Sequence, residues 1–266
     1  MHGDDITVQM KRLERCNGGK LTVYLRDVYD AMPDAVQRPM VIVVPGGGYC
    51  HISPREADPV ALQFAAAGYH TAVLEYGIKE NACGYKPLKQ ISEAIGAVRQ
   101  HSDEWSVMPD KIAVCGFSAG GHLALSSAVL ALPDGTALNR PNAVVLGYPV
   151  ISAGEYAHRG SFETLAGSED VAEQQCFSLE DKITPQTPPV FVWHTMEDGS
   201  VPVENTLMLV SALHKAGVPC EAHLFEKGGH GTSISTPEVN ADDAHRHHWV
   251  ELAVEWLNMT FNVRFA

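Results

Sequence analysis

The chain has 266 residues, 45% of them hydrophobic and 19% charged, with a formal net charge of −13. That length fills one large domain and falls short of two, while the acidic balance argues against nucleic acid or an anionic membrane as a partner. No apolar run reaches membrane-span length, and MHGDDITV at the start lacks a basic segment followed by an apolar core, so a cytoplasmic protein is expected, with a secreted form whose leader has been removed as the alternative.

In chain order, 21–25 (LTVYL) reads as a strand, paired with 6–9 (ITVQ) across the turn at Asn17, Gly18 and Gly19. The wholly apolar 41–44 (VIVV) is a short strand that stops at PGGG. A helix is expected over 57–67, ending at Gly68, then a strand over 70–75 and a helix over 88–104 with Pro87 at its start. KIAVC (111–115) reads as a buried strand and 121–130 as a helix. Further strands are expected at 143–148, 190–194 and 221–225, with helices at 202–215 and 244–257. Apolar strands alternating with helices make an α/β chain: a mostly parallel central sheet with helices on both faces. The connection 151–189 is long, polar and weakly periodic, and reads as a small lid-like insertion within a single domain over 1–266.

Between the strand at 111–115 and the helix at 121–130 lies Gly116-Phe117-Ser118-Ala119-Gly120, a G-x-S-x-G pentapeptide. On a tight strand-to-helix turn such a serine is pushed out of the end of the sheet, and glycines let the backbone pass itself. A serine hydroxyl is a poor nucleophile, so it needs a base in reach and a group to orient that base. In sheets that carry this elbow, the acid and then the histidine follow the serine in the chain. Asp198 follows the strand at 190–194, and His230, between glycines, follows the strand at 221–225. Both therefore fall at strand C-terminal ends, where such sheets place ligands. Glu197 is the rival acid, while His194 is expected inside a strand and His214 on an outward helix face.

The oxyanion formed by attack on a carbonyl needs preorganised N–H donors. Ala119 offers one, and the glycines after the strand at 41–44 offer others, with Gly47 and Gly48 preferred. Tyr49 and Tyr148 are candidates to line the substrate pocket, with core packing as the equal alternative. Arg55 and Glu56 read as a structural pair. The six cysteines show no C-x-x-C pair and read as reduced thiols, Cys115 and Cys220 as small core hydrophobes. HRHH at 245–248 lacks a carboxylate–histidine template, so neither a metal nor a cofactor is expected.

The blocks PGGGY (45–49), SPREADPVALQFAAAGY (53–69), GFSAGGHLA (116–124), SLEDKITPQTPPVFVWHTMEDGSVPVEN (178–205) and GGHGTSIS (228–235) together resemble the small α/β-hydrolase esterases of the acetyl esterase and xylan esterase-like group, near the hormone-sensitive-lipase-like enzymes. The resemblance implies the α/β-hydrolase fold, a Ser118, Asp198 and His230 triad, and oxyanion donors from Ala119 and the glycine loop. It also implies hydrolysis of short acyl esters, with acetylated sugars or xylo-oligosaccharides as the natural class. Pro45 stands where many relatives have histidine, and restricts the backbone entering the loop. An amidase or peptidase on the same fold and a non-catalytic ligand-binding protein are the competing readings, and the oligomeric state is open.

Overall fold

The computed structural model describes residues 8–16, 18–27 and 36–264. Eight strands form one sheet in the order β1-β2-β4-β3-β5-β6-β7-β8. They are β1 (Val8–Cys16), β2 (Gly19–Arg26), β3 (Arg38–Val44), β4 (His70–Glu75), β5 (Val107–Phe117), β6 (Ala143–Gly147), β7 (Val190–Thr195) and β8 (Cys220–Phe225). From β4 across to β8 every pairing is parallel, whereas β1 and β2 add antiparallel strands at one edge.

Alternation along the central strands divides the core in two. Met40, Ile42, Val44, Val114, Leu146 and Val192 face one side, under α2 (Lys86–Gln100), α3 (Ala119–Val129) and α6 (Glu204–Ala216). Val41, Val43, Cys115, Val145, Phe191 and Trp193 face the other, under α1 (Asp58–Ala66) and α8 (Trp249–Phe261). Burial on both faces is why these strands read as continuous apolar runs.

Three elements differ from expectation. The first strand was expected at 6–9; residues 6 and 7 lie outside the described residues, and the ladder instead runs from Val8 opposite Arg26 to Cys16 opposite Gly19. Its polar sequence, MKRLERC, suits an edge and hides the strand from a search for apolar runs. The helix expected over 88–104 ends at Gln100, and His101 stacks on Trp105 in the turn that follows. The last helix is divided at His248 into α7 (Ala244–His247), capped by Asp243 accepting from the Arg246 N–H, and α8. The connection 151–189 carries α4 (Arg159–Ala166) and the short α5 (Val171–Gln174).

Candidate active site

Strand β5 runs through Phe117 and turns into α3 at Ser118, whose φ of 53° and ψ of −122° lie in a strained region for a non-glycine residue. Such backbone strain costs of order 1–3 kcal/mol and persists only where the surroundings enforce it. Here they do: a Cβ on Gly116 would collide with the Gly120 carbonyl, and one on Gly120 with the Val44 carbonyl. The two glycines let strand, helix and the end of β3 meet closely enough to present the serine.

Three side chains from three strand ends then connect. His230 Nε2 lies 2.9 Å from Ser118 Oγ, and His230 Nδ1 lies 2.7 Å from Asp198 Oδ2. The ionised carboxylate can only accept, so Nδ1 carries hydrogen and Nε2 of the neutral ring accepts from the serine hydroxyl. Asp198 follows β7 and its carboxylate is wholly enclosed. Its Oδ1 accepts from the N–H groups of Ser200 and Val201, both at 2.9 Å. Burial opposes its charge, but the hydrogen bonds from His194 and His230 and the backbone N–H of Val201 outweigh it and hold the carboxyl well below the usual range. Glu197, the rival acid, instead accepts from Lys227 Nζ at 2.8 Å on the surface.

Ser118 and His230 open into a cavity of about 450 Å³ that also takes in Gly47, Gly48, Arg55, His158 and Ser200. Among the described residues no protein acceptor engages the N–H groups of Gly47, Gly48 or Ala119. The N–H of Gly46, by contrast, is committed to Glu56 Oε2 at 2.8 Å. Gly47 has φ of 129°, and a Cβ there would strike the His51 carbonyl, so only glycine holds this loop in shape. The arrangement offers an activated hydroxyl, a proton acceptor and unclaimed backbone donors on one cavity wall. Among the described residues no group of three or more His, Cys, Asp or Glu side chains is arranged so that it could hold a metal ion.

Residues 26–140 match the BD-FAE family. The acetyl ester-xyloside bifunctional hydrolase of Caldicellulosiruptor lactoaceticus superposes with a TM-score of 0.82 at 33% identity, covering 99% of this chain and 100% of that one. The chain belongs to the α/β-hydrolase esterases of the acetyl esterase and xylan esterase-like group. Endo-1,4-beta-xylanase B of Butyrivibrio fibrisolvens is 36% identical over 216 residues, and the acetylxylan esterase of Xylanibacter ruminicola is 28% identical over 212. Each alignment covers 77% of this chain, which spans only 34% and 43% of the lengths of those two proteins.

Within this α/β-hydrolase esterase, the two candidate pocket tyrosines both turn their hydroxyls into the interior. Tyr49 is buried, because its hydroxyl donates to His122 Nδ1 at 2.8 Å and so ties the glycine loop to α3. His122 Nε2 in turn donates to the Phe177 carbonyl at 2.8 Å, and burial pushes the ring's pKa down to about 4. Tyr148, at the end of β6, is buried with its ring 4.9 Å from that of His230, edge on. Neither tyrosine lines the cavity, because each hydroxyl has an interior partner. Glu56 does not direct its carboxylate to Arg55: it accepts from Tyr148 Oη at 2.6 Å and from Gly46. Arg55 is exposed and lines the cavity.

Two further residues take contacts at the site that sequence reasoning did not assign, although His194 was expected inside its strand. His194 is completely buried in β7, with Nε2 3.2 Å from Asp198 Oδ2 and 3.0 Å from the Val201 carbonyl. Both neighbours accept, so His194 is a donor at Nε2, and its Nδ1 pairs with Thr206 Oγ1 at 2.8 Å. A histidine inside an otherwise apolar strand, four residues before an aspartate, was the signal for it. His158 enters the cavity from the connection 151–189, with Nδ1 2.8 Å from Ser161 Oγ. Burial first, and then the neighbouring His230, lower its pKa.

Proposed function

We propose that this chain is a serine carboxylesterase that cleaves short acyl esters, acetyl esters of carbohydrates among them. The observation that carries the reading is the hydrogen-bonded line Ser118–His230–Asp198 opening into a cavity beside unclaimed amides. Similarity to an acetyl ester-xyloside hydrolase over the full chain supports the acetyl ester, and the xylan-related names of the curated relatives support a carbohydrate alcohol.

The chemistry follows from the geometry. Ser118 Oγ attacks the ester carbonyl carbon while its proton passes to His230 Nε2. Asp198 holds the Nδ1–H and stabilises the ring once it is charged. The carbonyl oxygen, now an oxyanion, accepts from the N–H groups of Ala119 and of Gly47 or Gly48. Collapse breaks the bond to the alcohol oxygen, which takes the proton from Nε2 and departs, leaving an acyl-serine. Water then attacks the acyl carbon, giving its proton to His230, and the acid leaves as Ser118 regains a proton.

A fluorophosphonate should label the protein stoichiometrically and abolish turnover of 4-nitrophenyl acetate, with EDTA leaving the rate unchanged. An amidase would also be labelled but would cleave acetanilides comparably to acetate esters. A binding protein would resist labelling. Loss of activity in EDTA with recovery on adding zinc would overturn the mechanism.

A further inference from the structure

The buried carboxylate of Glu56 belongs to no step of the reaction above, yet it lies between the parts that perform it. It is 3% exposed and both of its oxygens are committed. Oε2 accepts from the N–H of Gly46, in the loop that carries Gly47 and Gly48. Oε1 accepts from the Tyr148 hydroxyl, whose oxygen in turn accepts from the Ser233 N–H at 2.9 Å. Ser233 lies three residues beyond His230, and its hydroxyl donates to the carbonyl of Arg55, next to Glu56. The ring of Tyr148 meanwhile packs on His230 itself.

A closed circuit results, running from the glycine loop through Glu56 and Tyr148 to the histidine loop and back to Arg55. Tyr148 holds a φ of 37°, unusual for a non-glycine residue and a sign that its place is enforced. Loops at strand ends have few backbone partners, so side chains must fix their separation. That separation matters here. The amides of Gly47 and Gly48 must meet the oxyanion on one side while His230 meets the serine and leaving group on the other. A buried carboxylate with two charge-assisted hydrogen bonds is a stiff connector, and its position behind Gly46 fixes which way that peptide faces. An Ala at 46 would force its Cβ to within 2.7 Å of Glu56 Oε2, so the carboxylate and the loop are fitted to each other.

We infer that Glu56 and Tyr148 are positioning residues that hold the oxyanion loop in register with the general base, Glu56 through Gly46 and Tyr148 through Ser233 and His230. The inference rests on the esterase reading and adds to it two residues that touch no substrate atom. It distinguishes them from structural core by predicting a loss in the chemical step for each intact active site.

The test uses Tyr148→Phe, which keeps the ring against His230 and deletes only the hydroxyl, with Glu56→Gln and the double variant beside it. Active sites are counted by fluorophosphonate titration, and kcat and KM for 4-nitrophenyl acetate are expressed per titrated site. The inference predicts that kcat per site drops roughly 10- to 100-fold in each single variant while KM changes little. The double variant should fall no further than the worse single one, because both break one circuit. Affinity for methylboronic acid, which forms a tetrahedral anion on the serine, should weaken in step with kcat/KM across the series. A wild-type kcat per site in Tyr148→Phe, with only the titratable fraction or melting temperature reduced, would leave the two residues as ordinary packing while the esterase reading stands. Should Glu56→Gln fail to fold, Tyr148→Phe alone decides the question by the same readouts. A wild-type protein that neither reacts with the probe nor turns over ester would overturn the esterase reading and this inference together.

Discussion

The floor and the roof of the cavity are built by different physics. The floor is the row of strand C-terminal ends that carries Gly47, Gly48, Ser118, Asp198 and His230, each seated on the parallel sheet. Its shape comes from steric necessity at glycines and from saturated buried polar groups, such as the four donors on Asp198. The roof is the connection 151–189, which lends His158 and Gly160 to the cavity. Polar tethers join the roof to the domain: Asn205 of α6 accepts from the N–H groups of Ile151 and Ser152 and donates to the Tyr156 carbonyl, and His122 of α3 donates to the Phe177 carbonyl. The contrast leads to the expectation of a division of labour, in which floor substitutions should change how fast bonds are made and roof substitutions should change which esters fit.

The largest expected effect lies at the centre of the floor. Ser118→Ala should lower kcat by about a million-fold without unfolding the protein, since the side chain contributes chemistry and not packing. Near-wild-type turnover of the purified variant would mean that another residue is the nucleophile. Asp198→Asn should lower kcat by about ten-thousand-fold, because an amide in its place no longer stabilises the charged imidazole or fixes its tautomer. A loss expressed in KM instead would break the assignment of the floor to chemistry.

The roof should express itself in acyl length. With the connection 151–189 closing one side of a cavity of about 450 Å³, acetyl and propionyl esters are expected to exceed octanoyl esters in kcat/KM. In an open groove each added methylene would contribute about 0.8 kcal/mol of binding, and the series would climb instead. A steady climb to long chains would move the protein toward the lipases and leave the floor assignment untouched.

The smallest effect concerns the joint between floor and roof. Burial lowers the pKa of His122 at that joint to about 4, and burial with nearby arginines does the same for His70 at the far end of the sheet. An unfolded imidazole titrates near 6.5, so between these values the unfolded chain binds more protons, and stability must decline as pH falls. The neutral rings thus contribute fully above about pH 6.5, and up to roughly 3 kcal/mol each is lost on approaching pH 4. Melting temperature should drop over that window, and His122→Gln should flatten the drop. An equally steep drop in that variant would place the acid sensitivity elsewhere.

Much of the floor was legible in the sequence because its signals are local. Ser118 and Asp198 follow the apolar strands β5 and β7, His230 follows the mixed strand β8, and each is announced by glycines or a turn. The sheet was legible for the same reason, apart from β1, whose edge position removes the apolar pattern. The supporting residues were not legible in the same way. Glu56 and Tyr148 lie 92 residues apart, and nothing around either one signals the other. Tyr49 and Tyr148 stayed open in the sequence because an aromatic beside a glycine loop or at a strand end suits a pocket and a core equally well. Only the fold decides which way the ring turns. His158 lay in a connection without periodicity, where no local pattern says which side chain turns inward.

A covalent acyl-serine is the intermediate expected on the floor of the cavity. Rapid-quench mass spectrometry during the first turnover of 4-nitrophenyl acetate tests it directly, with peptide mapping of the quenched protein. The expected result is a burst of nitrophenolate matched by one acetyl group per titrated site, on the peptide containing Ser118 and on that serine. Steady turnover with the acetyl group on another residue, or with no acetylated species at any time, would contradict it.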